Sequence, residues 1–217
     1  MLVSHLPAFI FVHVQKTAGT SLETFLRAQF PDLVTWHGKH GHARTGFEEM
    51  GIEQWRNHFS FAFVRNPWDR LVSWYAMIQY YRDTLPHDLR NSRTPFQSAL
   101  WNQVVQHGAS FDDFLRRCTS VVLDQGCKKS FAFNQIDYLT NADGRMLVEF
   151  VGRFERLERD ARKVFDRLGL GHHTIPHQNV SEHEHYSRWY SPYTRDLVAE
   201  RFARDIETFG YTFETED

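Results

Sequence analysis

Lys16, Thr17, Gly19 and Thr20 fall within five consecutive positions of the run HVQKTAGTSL, and together they have the chemistry to hold an anion. Lysine brings a full positive charge, the hydroxyls bring donors, and glycine lets the backbone come close to a ligand. A second group lies further along: Arg65 ends the segment SFAFVR, and Ser73 follows on the next element. A planar guanidinium fork and a hydroxyl suit another anionic group, so a ligand charged at two separated points would bridge the pair of sites. Between them, the loop His37–Arg44, HGKHGHAR, carries His37, His40 and His42. Imidazole, with an unperturbed pKa of about 6.5, is mostly neutral at pH 7 and can accept a proton. Taken singly each feature is weak, since a solvated lysine, a salt-bridged arginine or a surface histidine is an ordinary sight. The combination has to carry the reading.

The elements that must position these residues follow from periodicity. Phe9–Val14, FIFVHV, is an apolar run rich in aromatic and β-branched residues and reads as a strand buried on both faces. After Ser21, Leu22, Phe25 and Leu26 recur at helical spacing. Lys16–Thr20 therefore occupy a turn into a helix N-terminus, where unpaired N–H groups and the positive end of the helix dipole converge. Leu33–Trp36 reads as a short second strand ahead of the histidine loop. Thr45 with Glu48 resembles a capping box and predicts a helix to about Trp55. Ser60–Arg65 is another buried strand, and Asn66-Pro67 opens a helix whose packing face is Leu71, Val72, Tyr75 and Ile78.

Arg82–Pro95 predicts an irregular loop suited to a lid or a substrate-binding insert. Helices are expected over Phe96–His107 and Phe111–Cys118, the second capped by Ser110. An Asp143-Gly144 turn precedes a strand over Met146–Val151, and Leu157–Leu168 is an amphipathic helix closed by Gly169. His172–Arg188 reads as a loop. The last helix starts at Ser191-Pro192, carries the stripe Tyr193, Leu197, Val198, Phe202 and Ile206, and stops at Gly210. Alternating strands and helices predict an α/β fold: one domain over 1–217, with a central parallel sheet flanked by helices. Its ligand crevice should lie outside the carboxyl ends of the strands, which puts Lys16 and Arg65 on one rim.

The 25 Lys and Arg against 27 Asp and Glu argue against a general nucleic-acid or membrane-surface binder, and leave room for a local basic cleft. Cys118 and Cys127 form no metal pattern and no disulfide framework, although one bridge between them stays open. No apolar run approaches ~20 residues, so no membrane span is expected. Met1–Pro7 lacks a basic stretch followed by an apolar one, so the expected location is the cytoplasm, with a luminal domain trimmed of its anchor as the alternative. Oligomeric state has no signature here.

A nucleoside-triphosphate site fits poorly. GxxxxGK[ST] places lysine after the glycines, whereas Lys16 precedes Gly19, and Glu149 is the nearest thing to a strand-terminal acid for Mg²⁺. These residues point to an anionic nucleotide handled without a metal. HVQKTAGTSL (His13–Leu22) and FVRNPWDRLVSWY (Phe63–Tyr75), in this order and separated by about fifty residues, resemble the two nucleotide-binding segments of the carbohydrate sulfotransferase superfamily. The resemblance continues through QIDYLTNADG, FVGRFERLERD and RDLVAERFARDIETFGYTF, and so covers most of the chain. The heparan sulfate 2-O- and 6-O-sulfotransferases are similar in both segments, and Gln15, where many members carry Pro, matches the 6-O type.

The resemblance implies a P-loop-like nucleotide-binding core that uses 3′-phosphoadenosine 5′-phosphosulfate (PAPS). Lys16, Thr17, Ala18, Gly19, Thr20 and Ser21 would hold the 5′-phosphosulfate, and Arg65 with Ser73 the 3′-phosphate. Arg153, in GRFE, would lie near the cofactor. The acceptor would be a carbohydrate hydroxyl, for which Trp36, Trp101 or Trp189 could offer stacking faces. In the 2-O-sulfating relatives a His-Gly-His supplies the catalytic histidines, matching His40-Gly41-His42, while other members show a Lys-His at the place of Lys39-His40. His40 is favoured over His42 as base, with Glu48 and Glu49 as fallbacks. Two other readings stand beside this one: a metal-dependent kinase or NTPase, and a non-catalytic nucleotide- or glycan-binding module.

Overall fold

The structure is a computed structural model that describes residues 1–84, 98–124, 126–171, 173 and 184–216. Most of the expected lid (85–95), the first two residues of the helix expected from Phe96, and most of the loop expected over 172–188 lie outside the described residues. The chain forms two compact units, Met1–Arg65 with Gln135–Val180, and Asn66–Asn134 with Ser181–Asp217.

The first unit is built on a five-stranded sheet ordered β3-β1-β2-β4-β7, from β1 (Leu2–His5), β2 (Ala8–Val12), β3 (Val34–Thr35), β4 (Phe59–Val64) and β7 (Phe150–Arg153). β2, β4 and β7 run parallel. β1 is antiparallel to both β2 and β3, so the sheet is mixed where an all-parallel one was expected. The reason is connection length: only Leu6 and Pro7 separate β1 from β2, and a parallel crossover needs a dozen or more residues. Between β2 and β4 the register sets Phe9 opposite Phe59 and Phe11 opposite Phe61, so the phenylalanines of one pleat face line up. The Phe11 and Phe61 rings stack at 5.1 Å. Helices α1 (Gly19–Gln29) and α7 (Leu157–Arg167) cover that face with Leu22, Phe25, Leu26, Val164 and Phe165. Each buried phenylalanine or leucine contributes about 1.5–3 kcal/mol, which makes this layer the anchor of the unit. Gly152 lies opposite Phe63, and a Cβ there would come within 2.5 Å of the Phe63 ring.

Several boundaries differ from expectation for identifiable reasons. α2 (Ala43–Met50) begins after His42, ahead of Thr45, and ends at Gly51, whose φ of 80° separates it from α3 (Ile52–Arg56). Glu48 pairs with Arg44 along the helix and makes no capping box. β7 starts four residues later than Met146 because Thr140 bridges Met146 and Leu147 N–H bonds the Leu139 carbonyl, closing the Asp143-Gly144 turn first.

In the second unit, Asn66 Oδ1 accepts from Trp68 N–H at 3.1 Å and caps α4 (Pro67–Thr84). Leu71, Val72, Tyr75 and Ile78 are buried as their spacing predicts. They pack with α5 (Ala99–His107) and α6 (Phe111–Arg117), the latter capped by Ser110. β5 (Val122–Asp124) and β6 (Cys127–Lys129) form an unanticipated two-stranded ladder. The last helical stretch is split at Phe202 into α8 (Pro192–Arg201), with a Ser191/Thr194 capping box, and α9 (Ala203–Phe209). Tyr193 leaves the expected stripe and is 58% exposed. Trp101 packs on Trp74 and Trp189 on Tyr75, at the core of this unit. Cys118 is buried, Cys127 is exposed, and both are free thiols. Among the described residues no helix is long and apolar enough to cross a membrane.

Candidate active site

β2 ends at Val12 and α1 begins at Gly19, so the six residues between them turn the chain from strand to helix. Lys16 and Ala18 both take positive φ, 68° and 63°. For residues with a Cβ this conformation costs about 1–2 kcal/mol each. Alternation about Thr17 curls the backbone into the kind of concavity that turns N–H groups toward an anion. Ala18, the residue ahead of α1, has no side chain to cap it, and the first turn holds no acid. The positive end of α1 thus has neither a side-chain cap nor an acid in its first turn.

The side chains divide between structure and site. Thr17 is fully buried and its hydroxyl donates to the Val14 carbonyl at 2.9 Å, so only its backbone faces the concavity's chemistry. Ser21 is buried, while Thr20 is exposed on the first turn. Burial, and then the neighbouring Arg65 charge, push the Lys16 ammonium down to about 7. Gly19 is required for a reason other than ligand approach: a Cβ there would sit 2.0 Å from the His13 ring. His13 is 2% exposed, stacks on Phe11 and meets His40 edge to face at 4.6 Å, so its ring has nowhere to retreat.

Arg65 follows β4, and the rim placement expected for it is observed. Its Nη1 donates to the Lys16 carbonyl at 3.3 Å and its guanidinium lies 3.9 Å over the Phe154 ring. Gln135, fully buried, clamps the Arg65 backbone from both sides: Oε1 accepts its N–H at 2.9 Å and Nε2 donates to its carbonyl at 2.7 Å. Arg153 ends β7, with its N–H on Asp160 Oδ2 at 3.1 Å. Ser73 lies on α4, in the second unit, and is 3% exposed there.

The histidine loop is held against the same turn. Trp36 N–H donates to the Met1 carbonyl and the Met1 amine donates to the Gly38 carbonyl at 2.6 Å. His40 Nδ1 is 3.0 Å from the His13 carbonyl, and His42 Nδ1 is 3.0 Å from the Asp137 carbonyl, with its ring stacked on Tyr138 at 4.3 Å. A carbonyl only accepts, so each Nδ1 carries the proton and each neutral ring keeps its lone pair on Nε2. Burial, then the nearby His13, push His40 down to about 4; burial likewise lowers His42. Both rings are therefore neutral at pH 7. His37 instead pairs with Glu49 at 2.9 Å, and Glu48 with Arg44 at 2.7 Å, so the fallback carboxylates are spent on the surface of α2. Glu149 lies at the other end of the sheet, its N–H on the Ser60 carbonyl near the start of β4.

Sequence reasoning missed three residues that assemble this arrangement, His13, Glu23 and Gln135, and gave Lys39 no role of its own. His13 reads as one more position in a buried strand, and Glu23 falls outside the apolar stripe of Leu22, Phe25 and Leu26. Only the break that a histidine makes in FIFVHV could have marked the first. Gln135 acts through backbone groups 70 positions away, which no local pattern shows.

The model described as the sulfotransferase family matches residues 1–212. The chain belongs to the sulfotransferase family. No curated protein and no solved structure matches it. Membership in this family points to transfer of a sulfuryl group to an acceptor. The contact between Gly19 and His13 makes one test of this site's construction. Gly19→Ala should lower unfolding free energy in urea by about 1–3 kcal/mol through overpacking. Adding His13→Ala makes room, so the double variant should be markedly less destabilised than the sum of the two single ones. Strict additivity would contradict the contact.

Proposed function

We propose that this sulfotransferase moves the sulfuryl group of PAPS to a hydroxyl of an acceptor, a carbohydrate by the resemblance of its two segments, with a histidine as base. The observation that carries the reading is the uncapped α1 N-terminus with Lys16 and Ala18 at positive φ, next to the His40 imidazole, whose Nε2 is left to accept a proton. The donor set fits an anionic nucleotide: an ammonium, a guanidinium, a helix N-terminus and the exposed Thr20 hydroxyl, with no carboxylate in the first turn. Bound there, PAPS supplies sulfur joined to a phosphate leaving group, so that the acceptor oxygen–sulfur bond forms as the bridging oxygen leaves with the electron pair.

Lys16 and the N–H groups of Ala18, Gly19, Thr20 and Ser21 would hold the charge that grows on the leaving oxygen, with Thr17 contributing through its backbone. Arg65 and Ser73 would take the 3′-phosphate, as the resemblance implies. His40 is the favoured base. Its Nδ1–H is tied to the residue at the end of the β2 run, directly before the anion turn, and Lys39 beside it reaches Thr20. His42 is tied instead to Asp137, two residues from the Gln135 clamp, and would position the acceptor.

Adenosine 3′,5′-bisphosphate should raise the melting temperature, as any ligand selective for the native state does, and AMP should do so much less. Arg65→Ala should erase most of that difference; equal stabilisation by the two nucleotides would contradict the assignment. For the base, His40→Ala or His42→Ala should lose about 10²-fold or more in transfer while keeping bisphosphate affinity. In the wild type the acid limb of kcat/KM, which reports the free enzyme, should lie below pH 6.5, because burial lowers both imidazoles. Activity that survives both substitutions would put the base elsewhere.

A further inference from the structure

One short turn serves two parts of the site. The 3₁₀ turn Gln135–Tyr138, QIDY, clamps Arg65 with its first residue and seats His42 with its last two. Arg65 stands one residue past the final β4–β7 pair, Val64 with Arg153, so the strand ladder has ended where it sits. Gln135 takes over there, accepting the Arg65 N–H at 2.9 Å and donating to its carbonyl at 2.7 Å. At the other end the Asp137 carbonyl accepts from His42 Nδ1 at 3.0 Å, and the Tyr138 ring stacks on the imidazole at 4.3 Å. With a rise of about 2 Å per residue, a 3₁₀ turn sets its first and fourth residues only ~6 Å apart.

The stretch between those ends is stiff. Gln135, Ile136 and Tyr138 are all buried. The Ile136 carbonyl accepts twice, from Leu139 N–H and from Thr140 Oγ1, each at 3.0 Å. Thr140 in turn bridges Met146, which ties the turn to the segment leading into β7. A close-packed interior of this kind passes a displacement on and absorbs little of it. Filling the space needs no amide at position 135; holding both backbone groups of Arg65 does.

We propose that Gln135 is a positioning residue that couples the nucleotide side of the site to the acceptor side: the anion that engages Arg65 fixes the turn, and the turn fixes His42. This rests on the reading of Arg65 as a contact of the 3′-phosphate and of His42 as the residue that positions the acceptor. Gln135 itself touches neither ligand. In the ligand-free protein the Arg65 guanidinium is shared between the Lys16 carbonyl and the Phe154 ring. A 3′-phosphate draws it from that resting place, and the pull reaches the backbone groups that Gln135 holds. Coupling is reciprocal, so an engaged acceptor tightens the nucleotide by the same factor.

The test reads the histidine rings by ¹⁵N NMR on the whole protein, the His42 signals being identified by their loss in His42→Gln. In the wild type, saturating adenosine 3′,5′-bisphosphate should shift the His42 ring nitrogens. Saturating AMP, which lacks the 3′-phosphate, should shift them far less. Gln135→Glu keeps an acceptor for the Arg65 N–H and loses the donor to its carbonyl. It should remove most of the His42 shift at saturation and cut the preference for the bisphosphate over AMP by ~3–10-fold, as one loosened charge-assisted contact implies. A merely structural glutamine would lower the melting temperature and leave the shift in place. Gln135→Met should abolish the shift; if that protein does not fold, the wild type and Gln135→Glu still decide. No His42 shift, equal shifts with both nucleotides, or a shift untouched in Gln135→Glu overturns the coupling and leaves the nucleotide assignment standing. A wild-type protein that does not bind the bisphosphate overturns that assignment, and the coupling with it.

Discussion

Everything in the first unit bears on one electrostatic constraint: an ammonium held in a half-buried turn at the positive end of a helix, with a guanidinium bonded to its own carbonyl. Burial and a neighbouring guanidinium both work against the charge of Lys16 there. Burial and Arg65 bring its pKa to about 7, so near neutrality it is balanced between charged and neutral forms. The turn also holds two non-glycine residues at positive φ. Strain and charge crowding of this kind persist only where the surroundings over-determine them. An anion bound in the turn would relieve both charges at once and favour the protonated lysine.

The surroundings do over-determine them. The phenylalanine layer between β2 and β4 fixes the two strand ends that carry the turn and Arg65. Gln135 replaces the missing strand partner at Arg65 with two side-chain hydrogen bonds, extending the ladder's satisfaction by one residue. His13 fills the space that Gly19 leaves, and its carbonyl sets the tautomer of His40. One buried histidine thus links the helix start to the proposed base. Arg27 completes the frame: it pairs with Glu23 on α1 and donates to the Leu33 carbonyl, just ahead of the segment that enters the histidine loop.

What could be read from the sequence was local. FIFVHV followed by QKTAGT and a helical stripe announced a strand, a turn and a helix N-terminus, and Asn66-Pro67 announced a cap that the structure shows as a 3.1 Å hydrogen bond. Both are decided by neighbours within a few positions. The antiparallel β1 escaped because LVSH is too short for periodicity to mark it, and its place depends on pairing with Phe9–Phe11. The four histidines of the 37–58 region could not be told apart by type. His37 is spent on Glu49 and His58 on the Gln54 carbonyl, whereas His40 and His42 bond carbonyls 27 and 95 positions away. The same holds for Thr17, whose hydroxyl turns inward although the motif offers it as a ligand.

The central claim is that the turn is an anion site in which Lys16 becomes charged as the ligand binds. Calorimetric titration with adenosine 3′,5′-bisphosphate at pH 8, in buffers of different ionisation enthalpy, counts the protons taken up. With the ammonium at about 7 in the ligand-free protein, Lys16 is mostly neutral at pH 8, and a bound phosphate should restore its proton. The account predicts uptake approaching one proton per nucleotide, lost in Lys16→Met. Binding with no proton uptake, or uptake that survives Lys16→Met, would contradict it.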